Sequence, residues 1–532
     1  MNLITGGEVL VDCLRAQGVR QVFSIIGGQM GTIYDTIGRR EDIDLFVPRS
    51  ETTVPLMAAG YTASNGRPAV SLTTVGAGVV YEVAGLACAW FDYLPVISLA
   101  PQVQSWKTKP HQESLQACNQ DEICFPLTKW NTIVYHWKRI PQLLTRGFRE
   151  AYIGIPGPVH LDFPVDILFR RGLWGLKKLQ KVPLVKRQAV IPGAAEQIDS
   201  AAAALKKAER GLVIVGQGIG REGRYRGIRE VLNRWGWPVI TTRLSAGILR
   251  GKDAAYAGTA ALLAGSEKGR DLLTNADAVV IIGVDPETIA LAEAYGWAEK
   301  TLVQIETEPS ALLTDAGFPV YADPISAVTG LMAAGLAAET SNNRLESFRK
   351  IIPELVDDFA GEEGTISQAI IALGKTTGEN DIIVADGPGI GRAAAYLLRE
   401  AEYRDLFCLD ENQIPGAGLP FAIGAAIGSP DARVTLICDK ESLFANVREI
   451  SPAAMAGVAL RLIVIDDHNA DLNCADTAAV LEGLACSVKT LSSEAAIETP
   501  EFKAGAVTAL VVEPMQEESA ISEARPASAL AS

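Results

Sequence analysis

The 532-residue chain has only 4 histidines, and its 8 cysteines form no CxxC pair. That leaves too few ligands at metal-binding spacing for a zinc site and points to buried, reduced thiols. Basic surface is scarce as well: the formal charge is -15, and no basic stripe accompanies any patterned segment. Nucleic acid and anionic membrane surfaces repel such a chain, which excludes both as main partners. The densest basic run, KKLQKVPLVKRQ (177–188), lies between two patterned regions and reads as a solvated linker. Long apolar runs are missing too. The first residues carry Glu8 and Asp12, and the most apolar region, 76–99, holds Glu82 and Asp92. Neither a signal peptide nor a membrane span is expected, and the cytoplasm is the default location.

What is present is ordinary globular material, 48% hydrophobic and 21% charged. Its length calls for about three domains of roughly 150 to 200 residues. Short β-rich runs alternate with helical patterns, the signature of parallel sheets covered by helices. The first block contains QVFSI, LFVPR, AVSLTT, PVISLA and VHLDFP. The second contains GLVIVGQGIG, PVITT, AVVIIGV and LVQIE, preceded by the amphipathic stretch AAEQIDSAAAALKKAER. The third contains DIIVAD, VTLIC, LRLIVID and TALVVEP. The expected fold is therefore α/β, with three parallel-sheet domains at 1–175, 190–340 and 350–515. A tail at 516–532, too small and polar to form a core, is expected to be disordered.

In doubly wound sheets ligands sit outside the carboxyl ends of the strands, so the informative residues should follow strands. GQGIGREG (216–223) does so, and its backbone N–H groups are of the kind that hold phosphate. No acidic residue follows a second strand at dinucleotide spacing, and a tight turn is the plainer reading.

RSETTVPLMAAGYTASNGRPAVSLTTVGAG (49–78) is far more specific. It resembles the pyrimidine-binding domain of the thiamine-diphosphate-dependent enzymes, the group of acetolactate synthase, pyruvate oxidase, benzoylformate decarboxylase and oxalyl-CoA decarboxylase. The resemblance runs on through GLACAWFDYLPVISLA, HQESLQACNQDEICFPLTKW and AYIGIPGPVHLDFPVDI, then LVIVGQGIG, then GAGLPFAIGAAIGSPDARVTLI. It covers nearly the whole chain and implies the order pyrimidine, middle and diphosphate domains.

The resemblance places Glu51 where the family keeps its cofactor-activating glutamate. A carboxylate bonded to a ring nitrogen of the aminopyrimidine promotes the tautomer that removes the thiazolium proton. A glutamate before a helix also suits the helix dipole, so simple capping is the alternative. Gln112, next to His111 in HQES, matches the glutamine beside the cofactor. Gly76 and Gly78 of GAGVVY, Asp386 and Gly389 of DGPGIG, and Ile414 fall at cofactor-contact positions.

Several residues depart from the family pattern. The family holds a divalent metal with the aspartate of Gly-Asp-Gly and an asparagine about 27 residues on. Here Asp439-Lys440-Glu441 aligns with the triplet, and the asparagine pair becomes Asp466-Asp467. An ammonium cannot ligate a metal. Glu441 would point where a diphosphate should lie. A one-residue bulge would instead make Asp439 and Asp467 the metal ligands. Tyr81 replaces the family's asparagine at the end of the glycine turn and is large enough to fill cofactor space. Pro388 removes an N–H from the diphosphate turn. Pro415 takes the place of the apolar wedge, and a lid segment after Asp467 is missing.

Five changes at one ligand imply a changed ligand. The expectation is an acetolactate-synthase-like protein, lyase or transferase in type, acting on a small carbonyl or 2-oxo acid compound. Thiamine diphosphate and magnesium are expected to be absent, while flavin in the middle domain is compatible with the sequence. Glu51, His111, Gln112, Tyr81, Lys440 and Glu441 would converge in a cleft between subunits of a homodimer or homotetramer, suited to acid–base or Schiff-base chemistry. Alternatively, Lys440 and Glu441 form a purely internal ion pair in a non-catalytic relative. Two further alternatives remain: a thiamine-dependent enzyme with an atypical metal site, and a chain that lends Glu51 to a paralogous subunit.

Overall fold

Continuous β-branched runs are buried on both faces only inside a parallel sheet covered by helices. GLVIV (Gly211–Val215), AVVII (Ala278–Ile282) and LRLIVI (Leu460–Ile465) are buried along their whole length in this way. The computed structural model describes residues 3–108, 114–173, 184–185, 191–219, 225–313, 316–336, 342–362, 364–387, 389–409, 414–466, 476–492, 503 and 505–513. Most of the basic linker, the 467–475 segment with the expected missing lid, and the tail lie outside those residues.

Three six-stranded sheets, all parallel, follow one another along the chain. Across the first sheet the strands run Asp44–Phe46, Gln21–Ser24, Val70–Leu72, Ile97–Gln102, Val159–Pro164 and Trp130–Ile133. A short antiparallel pair, Leu3–Thr5 with Arg171–Leu173, brings the two ends of this domain together. In the second sheet the order is Tyr256–Thr259, Val239–Thr241, Gly211–Val215, Ala278–Ile282, Thr301–Glu306 and Phe318–Tyr321. The third runs Asp405–Cys408, Asp381–Asp386, Arg433–Asp439, Leu460–Ile465, Val507–Glu513 and Ser487–Ser492.

Every central strand was legible in the sequence, whereas Trp130–Ile133, Tyr256–Thr259, Phe318–Tyr321, Asp405–Cys408 and Ser487–Ser492 were not. All five are edge strands. An edge strand pairs on one side only, so it tolerates the proline of FPVY, the glycine of YAGT and the lysine of SVKTLS and gives no apolar run.

The helices Thr53–Asn65 and Gly418–Gly428 are apolar nearly all round, which in a soluble protein requires burial on every side. They meet each other between the first and third domains. A Cβ at Gly60 would stand 2.0 Å from the Phe421 carbonyl oxygen, and one at Gly424 2.0 Å from that of Met57, so the backbones touch. Asn65 Nδ2 donates to the Gly428 carbonyl at 2.8 Å and Arg404 Nη2 to the Ser64 carbonyl at 2.9 Å. The middle domain joins the first through Gln217 Nε2, which donates to the Asp92 carbonyl at 2.7 Å. Among the described residues no helix is long and apolar enough to cross a membrane.

Candidate active site

Glu51 sits in the turn that enters Thr53–Asn65, partly buried. Its Cγ packs against Gly78, lying 3.6 Å from where a Cβ there would be. The neighbouring Thr52 hydroxyl donates to the Tyr81 carbonyl at 3.0 Å and joins this turn to the start of the helix Ala77–Phe91. Gly76, the N-cap of that helix, donates its N–H to Gln120 Oε1 at 2.8 Å, and the Gln116 backbone closes over it. Glu51, Gly76, Gly78 and Tyr81 thus form one corner. The Tyr81 side chain is 63% exposed and reaches out from this corner. His111 and Gln112 lie outside the described residues.

The second corner is at the carboxyl ends of the central strands of the third sheet. Asp439 ends Arg433–Asp439 and caps the next helix, Lys440–Asn446, its Oδ1 accepting from Ser442 N at 2.7 Å. Its Oδ2 lies against the next turn: a Cβ at Gly387, where φ is 124°, would stand 2.0 Å from it. Asp386 is buried and accepts from Gly418 N at 2.8 Å. Lys440 Nζ lies 3.1 Å from Asp466 Oδ2, and that oxygen also accepts from the Thr477 hydroxyl at 2.7 Å. Gly389 begins the helix Ile390–Leu397 in a left-handed conformation. Ile414 packs with Leu56, Cys88 and Ala417, while Pro415 is exposed. Pro388 and Asp467 lie outside the described residues.

One expectation is corrected here. The partner of Lys440 is Asp466, not Glu441, which faces solvent. Consecutive helical residues point in different directions and cannot pair, while the register that sets Asp439 beside Ile465 brings residue 440 to residue 466. The cleft expected between subunits would join the Glu51 corner of one chain to the Lys440 corner of its partner; within one chain the two corners are separate. Among the described residues, no hydrogen bond or ion pair joins Glu51 or Tyr81 to Lys440 or Glu441.

Residues the sequence reading passed over support the first corner from below. His160 and Asp162 alternate with Leu161 on one face of a central strand, so both enter the same buried layer. His160 Nδ1 meets Ser98 Oγ at 2.7 Å and Nε2 meets Asp162 Oδ1 at 3.1 Å. Glu82, wholly buried, accepts from the hydroxyls of Ser71 and Thr73 at 2.5 and 2.6 Å. Gln120 donates to Asp162 and holds the Gly76 N–H with its other end. Burial pushes the Glu82 carboxyl up. For His160 burial works the other way, but Cys124 and Asp162 outweigh it, and the ring is held charged well above the usual imidazole range. The signal was present in VHLDFP: two polar residues, two apart, in a strand with no solvent face.

In the middle domain the GQGIG turn is closely packed. Gly216 and Gly218 face Gly283 and Val284 with no room for a Cβ, which accounts for the glycines as a tight turn. Residues 220–224 lie outside the described set.

Three parallel α/β domains with a carboxylate beside a glycine turn in the first define a thiamine-diphosphate enzyme architecture, and comparison with known proteins agrees. Residues 4–123 match the family model "Thiamine pyrophosphate enzyme, N-terminal TPP binding domain", and residues 198–331 match the central domain of the same enzymes. The chain belongs to the thiamine pyrophosphate enzyme family and is acetolactate synthase-like. It is 26% identical over 480 residues to acetolactate synthase isozyme 1 large subunit of Escherichia coli (strain K12), covering 87% of this chain and 82% of that one. Acetolactate synthase of Bacillus subtilis (strain 168) is 26% identical over 488 residues, 88% of this chain and 82% of its own length. The probable acetolactate synthase 2, chloroplastic, of Oryza sativa subsp. japonica is 26% identical over 481 residues, 87% and 71% of the respective chains.

The two corners differ in how they suit the family's coenzyme. Glu51 beside Gly78 fits a ring nitrogen of an aminopyrimidine. The third-domain corner, among its described residues, differs from the family's metal-held arrangement. Its cation is already on the chain and engaged with Asp466, and the Asp439 carboxylate stands against the turn a phosphate would approach. Among the described residues no group of three or more His, Cys, Asp or Glu side chains is arranged to hold a metal ion.

Proposed function

We propose that this protein is an acetolactate-synthase-like lyase or transferase that acts on a small carbonyl or 2-oxo acid compound without magnesium-held thiamine diphosphate. The observation that carries this reading is the Lys440–Asp466 pair at 3.1 Å, in the place of the family's metal-binding aspartate. Engaged in that pair, Lys440 offers a positive charge to a substrate oxygen rather than a free amine lone pair, which favours electrostatic and acid–base chemistry over a Schiff base. Glu51, whose side chain has no hydrogen-bond partner among the described residues, is the proton acceptor. Because its corner and that of Lys440 are separate within one chain, a homodimer or homotetramer is the form that completes the cleft.

Calorimetry tests this directly. Titration with thiamine diphosphate and magnesium should give no magnesium-dependent binding; micromolar affinity that requires the metal would overturn the reading in favour of a thiamine-dependent enzyme. Flavin is tested by the absorption spectrum of the purified protein.

One observation favours a second reading. Glu51 stands beside the Gly76–Gly78 turn, whereas Lys440 is paired with Asp466. A chain that keeps Glu51 while its third domain departs from Gly-Asp-Gly is suited to lend Glu51 to a paralogous subunit whose Gly-Asp-Gly is intact. Co-purification with such a subunit supports this reading, and turnover by the homo-oligomer alone excludes it.

A further inference from the structure

Glu449 reaches across from the third domain to the turn that carries Glu51. It is fully buried, yet no arginine or lysine pairs with it at salt-bridge distance among the described residues. Its Oε1 and Oε2 accept from the Arg49 N–H at 3.1 and 2.9 Å, and Oε1 also accepts from the Thr53 hydroxyl at 3.0 Å. Thr53 Oγ1 in turn lies 2.8 Å from the Ser50 carbonyl. One carboxylate therefore clamps both flanks of Glu51. The helix it meets has no side-chain cap at its N-cap Thr52 and no acidic residue in its first turn, so Glu449 supplies from another domain the anion that this N-terminus lacks.

The same segment begins at the other corner. Lys440–Asn446 is helical, Val447–Glu449 is a separate 3-10 turn after Asn446, whose φ of -133° and ψ of 20° break the helix, and Asn446 Nδ2 pins this junction to the Gly416 carbonyl at 2.9 Å. The Lys440–Asp466 pair and the Glu51 turn are thus attached to opposite ends of one ten-residue segment, pinned at its bend by Asn446.

We propose that Glu449 is the positioning residue for Glu51, and that segment 440–449 couples the Lys440–Asp466 pair to it. Burying a carboxylate without a cation at salt-bridge distance is costly, and burial pushes Glu449 up despite the Arg49 amide, the Thr53 hydroxyl and the charges of Arg448 and Arg49. A residue serving only to join two domains need not be an acid. The proposal rests on Glu51 as a working carboxylate and not on whether thiamine diphosphate binds, so the calorimetric outcome leaves it standing or falling separately.

Hydrogen exchange of the full chain, followed by mass spectrometry over residues 46–53, tests it. Glu449→Ala should speed exchange of this segment about tenfold, and Glu449→Gln, which keeps one accepting oxygen, should restore it to within about threefold of the parent. Lys440→Met, whose site touches none of these residues, should speed it by at least about threefold, with exchange in Ala278–Ile282 of the middle domain unchanged. If Glu449→Ala has no effect, Glu449 does not position the turn. If Glu449→Ala acts and Lys440→Met does not, the contact is a local staple and the coupling is refuted.

Discussion

Replacing Gly60 by valine should push the first domain off the third and lower stability by more than about 3 kcal/mol, at the upper end of what overpacking costs. The reason is that nothing soft stands in the way. The first added carbon meets the carbonyl oxygen of Phe421 at 2.0 Å and the amide nitrogen of Ala425 at 3.1 Å, both backbone atoms of a helix that is itself packed on every side. A side chain elsewhere could rotate away, but here two helix axes would have to part, opening the interface that holds Ser64 and Asn65 to residues 425–428. Gly361 provides the control. It lies in the helix Asn342–Glu362 with no atom within 4 Å of an added Cβ, so Gly361→Ala should be neutral or stabilising by up to about 1 kcal/mol. Scanning calorimetry on both variants measures the difference. A Gly60→Val midpoint within about 1 °C of the parent would mean that the two helices do not cross as described.

The second large effect concerns the charged layer under the Gly76 turn. His160→Leu removes the cation and leaves Glu82 and Asp162 buried without it, a loss on the order of 3 to 5 kcal/mol. The pH dependence follows from the direction of the shifts. His160 and Glu82 both hold a proton more tightly folded than unfolded, so folding takes up protons from this layer and stability falls as pH rises. The Glu82 share is present below its ordinary value near 4.5 and is lost as pH rises through its raised value. The His160 share is complete below about pH 6.5 and is lost only through its raised folded value, on the alkaline side. The groups that face it are Ser98 from the adjacent strand, Glu82 from the overlying helix, Cys124 from the helix Gln120–Cys124, and Asp162 from its own strand. Urea unfolding of the parent between neutral and alkaline pH should therefore show declining stability, and His160→Leu should flatten that decline. Equal slopes in both proteins would show that His160 is not the charged centre of the layer.

The same layer shows where sequence reading stopped. Glu82 was seen only as evidence against a membrane span, and VHLDFP only as a strand. Neither pattern says that Ser71, Ser98 and His160 stand side by side on successive strands, because that depends on register between segments far apart in the chain. Glu449 was passed over for the same reason: its partners, Arg49 and Thr53, are about 400 residues away. Glu51 and Lys440, by contrast, were legible because each falls within a contiguous motif at the end of a recognisable strand or before a recognisable helix.

By itself the sequence determined the three parallel sheets, since unbroken β-branched runs have no stable place except between two layers of helix, and it determined that a lysine stands in the triplet at 439–441. Only the tertiary structure decided what that lysine holds. Glu441 is adjacent in sequence but points away along the helix, whereas Asp466 is distant in sequence and is brought within 3.1 Å by the pairing of Arg433–Asp439 with Leu460–Ile465. Local propensity fixes where strands and helices begin and end. Which charges meet depends on the alignment of one strand against the next, and that is set by the packing of the whole layer.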